Sequence, residues 1–188
     1  MAYFPMFIDI TNEDCLVVGG GKVALRKIKM LMDFDAKVSV IAKQIDREIK
    51  NLPGITYAER IFSEADLKKR KLVFAATDDR QINEYIATRC HELGIMCNVA
   101  DNLEECSFIC PAYLKEGDVV AAFSTGGNSP YLAQHLKEQN KEVVTEQIGQ
   151  VAKEMAELRG RLKRKGIEPE ERKETYRQYL EEKLKEGK

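Results

Sequence analysis

The chain has no tryptophan and two histidines, His91 and His135, which stand alone in the sequence. Neither an H-E-x-x-H helix nor a Ser-His-Asp order is present, so the common zinc-protease and serine-hydrolase machineries are excluded. Each histidine reads as a surface or packing residue. No C-x-x-C pair occurs among the five cysteines, Cys15, Cys90, Cys97, Cys106 and Cys110, and their odd number argues against a closed disulfide framework. Cys106 and Cys110 are spaced C-x3-C and could join Cys97 or His91 on a soft metal, but structural zinc sites show two close ligand pairs. Reduced, partly buried thiols are the favoured reading. No apolar run approaches the roughly 20 residues that span a bilayer, and the opening MAYFPMFIDI lacks the basic segment and small-residue cleavage site of a signal peptide. A cytoplasmic protein is expected. The net charge of −1 supplies no global field toward nucleic acid or membrane, and neither is expected as a partner.

What is present is a globular composition. Of 188 residues, 44% are hydrophobic and 32% charged, enough for one packed domain of roughly 110–140 residues and an appendage. From Asp14 to about Tyr113, short β-branched runs alternate with amphipathic segments, the pattern of βαβ units feeding a parallel sheet. Strands are expected at 15–18, 37–41, 55–59, 72–76 and 96–99, and helices at 22–34, 46–51, 63–69 and 79–93. Ser63 with Asp66 resembles a capping box, Asp79 can cap the next helix and Gly94 can stop it. After Pro111 come a turn at 116–118, an apolar strand at 119–123, and Ser129-Pro130, a strong helix start running to about Lys141. Val144, Ile148, Val151, Met155, Leu158 and Leu162 recur at steps of three and four, one stripe along a helix. Pro169 opens a last helix with Tyr176, Leu180 and Leu184 on one side. The expected division is a nucleotide domain at 1–113, a connector at 114–142 and a helical domain at 143–188.

The stretch CLVVGGGKVA at 15–24 carries Gly19-x-Gly21-x-x-Ala24 between a strand and a helix, the setting of a dinucleotide loop. The first glycine would make the turn, the second would let pyrophosphate approach backbone N–H groups, and Ala24 would admit close helix packing. The helix N-terminus would add the positive end of its dipole. An acidic residue should end the second strand and bind the adenosine ribose, yet Ala42, Lys43 and Gln44 stand there. Gln44 or backbone could hold the ribose, Lys43 could meet a 2′-phosphate, or Lys43 is simply solvated. The choice between NAD and NADP is open at this level. Asp101 follows the fifth strand, where ligands lie in such sheets, and could take a proton while a cofactor takes a hydride. From spacing alone, a turn cap with Asn102 is favoured. Ser124, Thr125, Gly126 and Gly127 could form an anion cradle before a helix or a plain turn. Arg159, Arg161, Lys163, Arg164 and Lys165 read as a solvated helix face without the aromatic residues of a nucleic-acid site.

Taken together, YFPMFIDI, VVGGGKVALRKIKML, FAATDD at 74–79, CNVADNLEECSFICPA at 97–112 and FSTGGNSPYLAQHL at 123–136 resemble the precorrin-2 dehydrogenase family of siroheme synthesis. The resemblance covers about the first 140 residues in order; the C-terminal helices match only in general character. It implies an α/β fold, a Rossmann-type parallel sheet with a small dimerisation region and an α-helical C-terminal domain. It further implies NAD-dependent oxidation of precorrin-2 to sirohydrochlorin by a homodimer, with insertion of ferrous iron in some members. Carried over residue by residue, Asp101 matches the family's essential aspartate. Gly19, Gly21, Lys22 and Val23 match the pyrophosphate loop, Lys43 and Gln44 the ribose stretch, and Thr77 and Asp78 the strand end beside the cofactor. Thr125 matches a hydroxyl residue near the tetrapyrrole, with Ser124, Gly126 and Gly127 around it. Family members commonly lack the acid after the second strand and still use NAD, which favours NAD here. Two rival readings remain: an NAD-sensing regulatory module, which would need the glycine loop but not Asp101, and a small-ketone reductase, whose Tyr-x-x-x-Lys pair the sequence lacks.

Overall fold

A computed structural model describes residues 3–100 and 102–186. The chain divides into two compact units, Met1–Cys110 and Pro111–Lys188.

The first unit is built on five parallel strands, β1 (Asp14–Val18), β2 (Lys37–Ala42), β3 (Thr56–Glu59), β4 (Leu72–Ala75) and β5 (Met96–Val99), in the order β3-β2-β1-β4-β5. Parallel strands need crossovers, supplied by α1 (Lys22–Asp33), α2 (Arg47–Lys50), a 3-10 turn (Glu64–Leu67) and α3 (Arg80–Glu92). Alternate residues of β1 serve opposite faces, which explains its unbroken apolar run. Cys15 and Val17 join Ala24, Ile28 and Leu31 of α1 and Ile49 of α2. Leu16 and Val18 join Leu67 and, from α3, Ile86, Ala87 and Cys90. Each fully buried aliphatic side chain contributes about 1.5–3 kcal/mol, so the central strands anchor the unit and leave their carboxyl ends as a rigid platform.

All five strands expected from the pattern are present within a residue of their expected bounds. One helix is not: the expected 63–69 segment is only a 3-10 turn, although Ser63 N does donate to Asp66 Oδ2 at 2.8 Å. The chain turns away at Lys69, whose φ of +61° no helix accommodates.

The second unit opens with an antiparallel hairpin, β6 (Ala112–Glu116) and β7 (Val119–Phe123). The sequence pattern marks β7 but not β6, whose AYLKE carries two charges in five residues and becomes a strand by pairing with β7. Then come α4 (Pro130–Gln139), α5 (Glu146–Arg164) and α6 (Pro169–Glu186). Helices α5 and α6 run antiparallel, tied by Gln147 Nε2 to the Lys183 carbonyl at 3.1 Å and by Tyr179 Oη to Glu154 at 2.6 Å. Of the expected stripe, Val144 lies before α5; on the helix Val151 and Leu158 are buried, and Ile148, Met155 and Leu162 are half-buried. The structure thus places the connector strands and the three C-terminal helices in one unit, the chain dividing after Cys110.

Candidate functional site

Because β2 lies on one side of β1 and β4 on the other, the chain reverses direction across the sheet at the β1/β4 boundary, and a crevice opens at the carboxyl ends of those strands. The loop Gly19-Gly20-Gly21 lies at that boundary. It is stitched to both neighbours: Gly19 N donates to Ile41 O at 2.9 Å, Asp46 N to Gly20 O at 2.9 Å, and Ala76 N to Val18 O at 2.7 Å.

The three glycines do different work. Gly19 is buried with φ +138°, and a Cβ there would overlap the Ala76 carbonyl, 2.6 Å from its carbon. A Cβ on Gly20 would overlap the Gln44 carbonyl and come within 2.9 Å of Ile45 Cα. Gly21 faces open space, with nothing within 4 Å of its Cβ direction. Two glycines therefore exist for packing and the third keeps a surface clear. Sequence reasoning missed Gly20, since its partner lies two dozen residues downstream.

Helix α1 starts at this open glycine without a side-chain cap and without an acidic residue in its first turn. Its first helical bond runs from Leu25 N to Gly21 O, so the preceding amides of Lys22, Val23 and Ala24 have no intrahelical acceptor. Helices α2, α3, α4 and α5 are each capped by a side chain, from Asp46, Asp79, Ser129 and Thr145. Ala24 is fully buried against the sheet. Open amides, a positive helix end and a clear flank form a cradle that fits a dinucleotide pyrophosphate.

At the end of β2, Lys43 and Gln44 are exposed. The nearest acid in the sheet, Glu59, pairs in register with Ala42, but its carboxylate is engaged, accepting from Ile45 N at 3.0 Å and from Lys50 Nζ at 2.9 Å. These two bonds hold it below the usual carboxylate range, the Lys50 contact being the larger cause. Asp46 caps α2 through Glu48 N at 2.9 Å.

On the other side of the crevice, Thr77 follows β4 and Asp78 is exposed beside it. Thr77 is locked by Asn83, a residue sequence reasoning missed. Asn83 Oδ1 accepts from Thr77 N at 3.1 Å and from Thr77 Oγ1 at 2.7 Å, and Asn83 Nδ2 donates to Thr77 O at 3.0 Å. An asparagine only 5% exposed would be costly without such partners. Its one signal in sequence is a polar residue on the otherwise apolar inner face of α3.

Asp101 lies outside the described residues. The segment after it doubles back along β5, the edge strand, and satisfies that edge with side chains. Ser107 Oγ accepts from Cys97 N at 3.1 Å, Cys106 Sγ accepts from Val99 N at 3.2 Å, and the buried Asn98 donates to Phe108 O at 3.0 Å. Burial pushes the Cys106 thiol up, so it stays protonated and can donate in turn to Asn102 O at 3.2 Å. Phe108 closes the clasp edge-on against Phe74, centroids 5.5 Å apart.

In the second unit, the loop 124–130 is closed by its own hydroxyls. Thr125 Oγ1 donates to Ser129 O at 3.0 Å and accepts from Ser129 N at 2.9 Å, Ser124 Oγ accepts from Gly126 N at 3.1 Å, and Ser129 Oγ caps α4 through Leu132 N at 3.2 Å. Gly126 and Gly127 both take positive φ. Of the basic cluster, Arg161, Lys163 and Arg164 fill the last turn of α5, where cations complement the helix dipole. Among the described residues no three His, Cys, Asp or Glu side chains are grouped to hold a metal, and no helix is long and apolar enough to cross a membrane.

A family model of NAD(P)-binding proteins matches residues 6–112. The chain is 35% identical over 185 residues to a siroheme synthase of Nitrosomonas europaea, covering 96% of this chain and 39% of that protein. It is 37% identical over 184 residues to one of Methylococcus capsulatus, again covering 96% and 39%. The chain thus spans about two fifths of the length of these relatives. Among solved structures, one titled SirC, precorrin-2 dehydrogenase, superposes with a TM-score of 0.81 at 22% identity, covering 97% of this chain and all of that one. That likeness is one of fold.

Proposed function

From the premise that the chain belongs to the NAD(P)-binding family, we propose that it oxidises precorrin-2 to sirohydrochlorin, with NAD as acceptor. The observation that carries the reading is the uncapped start of α1 beside the open flank of Gly21. The siroheme synthase relatives along almost the whole chain and the specific N-V-x-D sequence that begins in β5, with S-F-x-x-P after it, add the substrate. In this reading the amides of Lys22 and Val23 hold the pyrophosphate, Lys43 and Gln44 flank the adenosine ribose, and Thr77 and Asp78 border the far side of the crevice. Ser124, Thr125, Gly126 and Gly127 form the substrate loop. When bound, the nicotinamide supplies the hydride acceptor.

Two hydrogens leave the substrate, one as hydride and one as proton, and Asp101 is assigned the proton. A carboxylate fits that task because it is charged and basic at neutral pH yet can be protonated transiently. The clasp of Asn98, Cys106 and Ser107 fixes the described segments that precede and follow it in the chain. Asp101→Ala is expected to lower NADH production from precorrin-2 by roughly 10²–10⁴-fold while NADH affinity is unchanged. Full turnover in that variant would remove the assignment, and binding without any turnover in the wild type would favour a sensing module instead. Insertion of ferrous iron into sirohydrochlorin, assayed without NAD, is a further activity of the same reading.

A homodimer belongs to the proposal as well. The β6–β7 hairpin is a two-stranded sheet whose outer edges pair with no further strand among the described residues, and such a ribbon is marginal alone. Tyr131 is 84% and Val143 63% exposed in the same unit. Sedimentation at micromolar concentration tests this, a monomer counting against it. A cytoplasmic setting completes the reading.

A further inference from the structure

Helix α1 puts one charge where its pattern calls for an apolar residue. Its buried residues are Ala24, Ile28 and Leu31, and Lys27 stands among them on the same stripe, three residues after the first and four before the last. Lys27 is half-buried, while Lys22, Arg26 and Lys29, the other cations of the helix, are exposed. Its ammonium lies 5.6 Å from the centre of the Phe74 ring, a side chain 1% exposed, and reaches the Cys110 thiol. Burial pushes that thiol up, and the Cys106 thiol with it, so both stay neutral and leave the ammonium without a counter-charge. No carboxylate of a described residue pairs with Lys27, although Lys29, two residues on, is held by Glu48 at 2.7 Å. Packing alone would be served better by leucine or methionine at this position, because a partly desolvated charge without a partner costs free energy. The position also borders the crevice. Phe74 is the penultimate residue of β4, next to the carboxyl end where the crevice opens. Helical side chains lean toward the N-terminus of their helix, which directs Lys27 back along α1 toward that same end. Phe108, edge-on to Phe74, belongs to the segment that covers β5 beside it.

Resting on the reading of the substrate as precorrin-2, we propose that Lys27 is a substrate-binding residue, its ammonium taking one of the acetate or propionate carboxylates at the rim of the macrocycle. The carboxylate completes the ion pair that the fold leaves open. The Phe74 ring and the packed aliphatic stem hold the ammonium in place before the ligand arrives, so little freedom is lost on binding. The rim carboxylates take no part in the oxidation. The contact is therefore the same in ground state and transition state, and it acts on affinity rather than on the chemical step.

The test is titration of the full chain with sirohydrochlorin, the product that keeps the same carboxylates, followed by its fluorescence, and in parallel with NADH. Lys27→Met keeps the length of the side chain and its contact with Phe74 while removing the charge. It should weaken sirohydrochlorin binding by about five- to thirtyfold and flatten the salt dependence of that binding. NADH affinity should stay within about twofold, and the melting temperature should be no lower. In turnover, KM for precorrin-2 should rise by a similar factor with kcat within about threefold. Lys27→Arg, which keeps the charge, should restore most of the affinity. Equal sirohydrochlorin binding by wild type and Lys27→Met, an equal loss for NADH, or a fall in kcat alone with a shifted pH profile would each overturn the inference, the last because Lys27 would then act through a titrating group. Those three results leave the cofactor and substrate reading standing. A wild type that binds NADH but no sirohydrochlorin takes down the substrate reading and the inference with it.

Discussion

Two glycine-rich loops precede helices in this molecule, one in each unit, and they are built in opposite ways. The loop at 19–21 is held from outside, by backbone of the β2 and β4 connections pressed against Gly19 and Gly20, and it leaves α1 uncapped. The loop at 124–130 is held from inside, by Thr125 bridging to Ser129, and Ser129 then caps α4. The difference separates a loop that must present bare amides from one that satisfies its own. In the first, bonding demand is left over for an anion; in the second, most of it is spent within the loop, and what remains for a ligand is carbonyl surface, glycine flanks and the exposed side of the hydroxyls.

The largest effect should come from the packing glycines. Gly19→Ala must overlap a backbone carbonyl in a region disfavoured for any side chain, and a loss of about 3 kcal/mol or more is expected, read by denaturant unfolding. Gly20→Ala should behave similarly. Gly21→Ala should change stability by less than about 1 kcal/mol and yet weaken NADH binding, because its methyl enters the open flank. If Gly21→Ala unfolds the protein, or Gly19→Ala does not, the division between packing and clearance is wrong.

An intermediate effect belongs to Asn83→Ala, which strips the Thr77 connection of three bonds and leaves Thr77 N–H unpaired beside Gly19. A cost of about 2–3 kcal/mol should appear in thermal unfolding, with Asn83→Asp recovering part of it through its remaining acceptor.

The smallest concerns the second loop. Thr125→Ala removes two hydrogen bonds to Ser129 and should cost about 1 kcal/mol, whereas Thr125→Ser should restore stability. A melting temperature unmoved by Thr125→Ala would mean that the bridge contributes nothing and that the hydroxyl serves only a ligand.

The parallel sheet was legible because its strands are buried on both faces and read as apolar runs such as CLVV and LVFA, each followed by an amphipathic segment. The caps at Asp79 and Ser129 were legible because capping is a local bargain struck within three residues. Strand β6 was not, because AYLKE acquires its conformation from β7 across the hairpin. Asn83 and Cys106 were not, because a side-chain bond to backbone six or seven residues back, across a change of element, follows neither the helical nor the strand repeat. The clasp after β5 shows the same limit: N-V-x-D and S-F-x-x-P stand out as sequences, but nothing in them says that Ser107 and Cys106 take over the edge of a strand ten and seven residues back.

By itself the sequence determined the alternation of strand and helix, the place of the glycine loop between them, and the absence of an acid after β2, since each depends on neighbours in the chain. Only the tertiary structure decided which glycines pack and which one clears space, and which carboxylates near the ribose end are already engaged. Those outcomes depend on what the fold brings alongside, at separations of tens of residues, where overlap of backbone atoms and competition for hydrogen bonds select one arrangement.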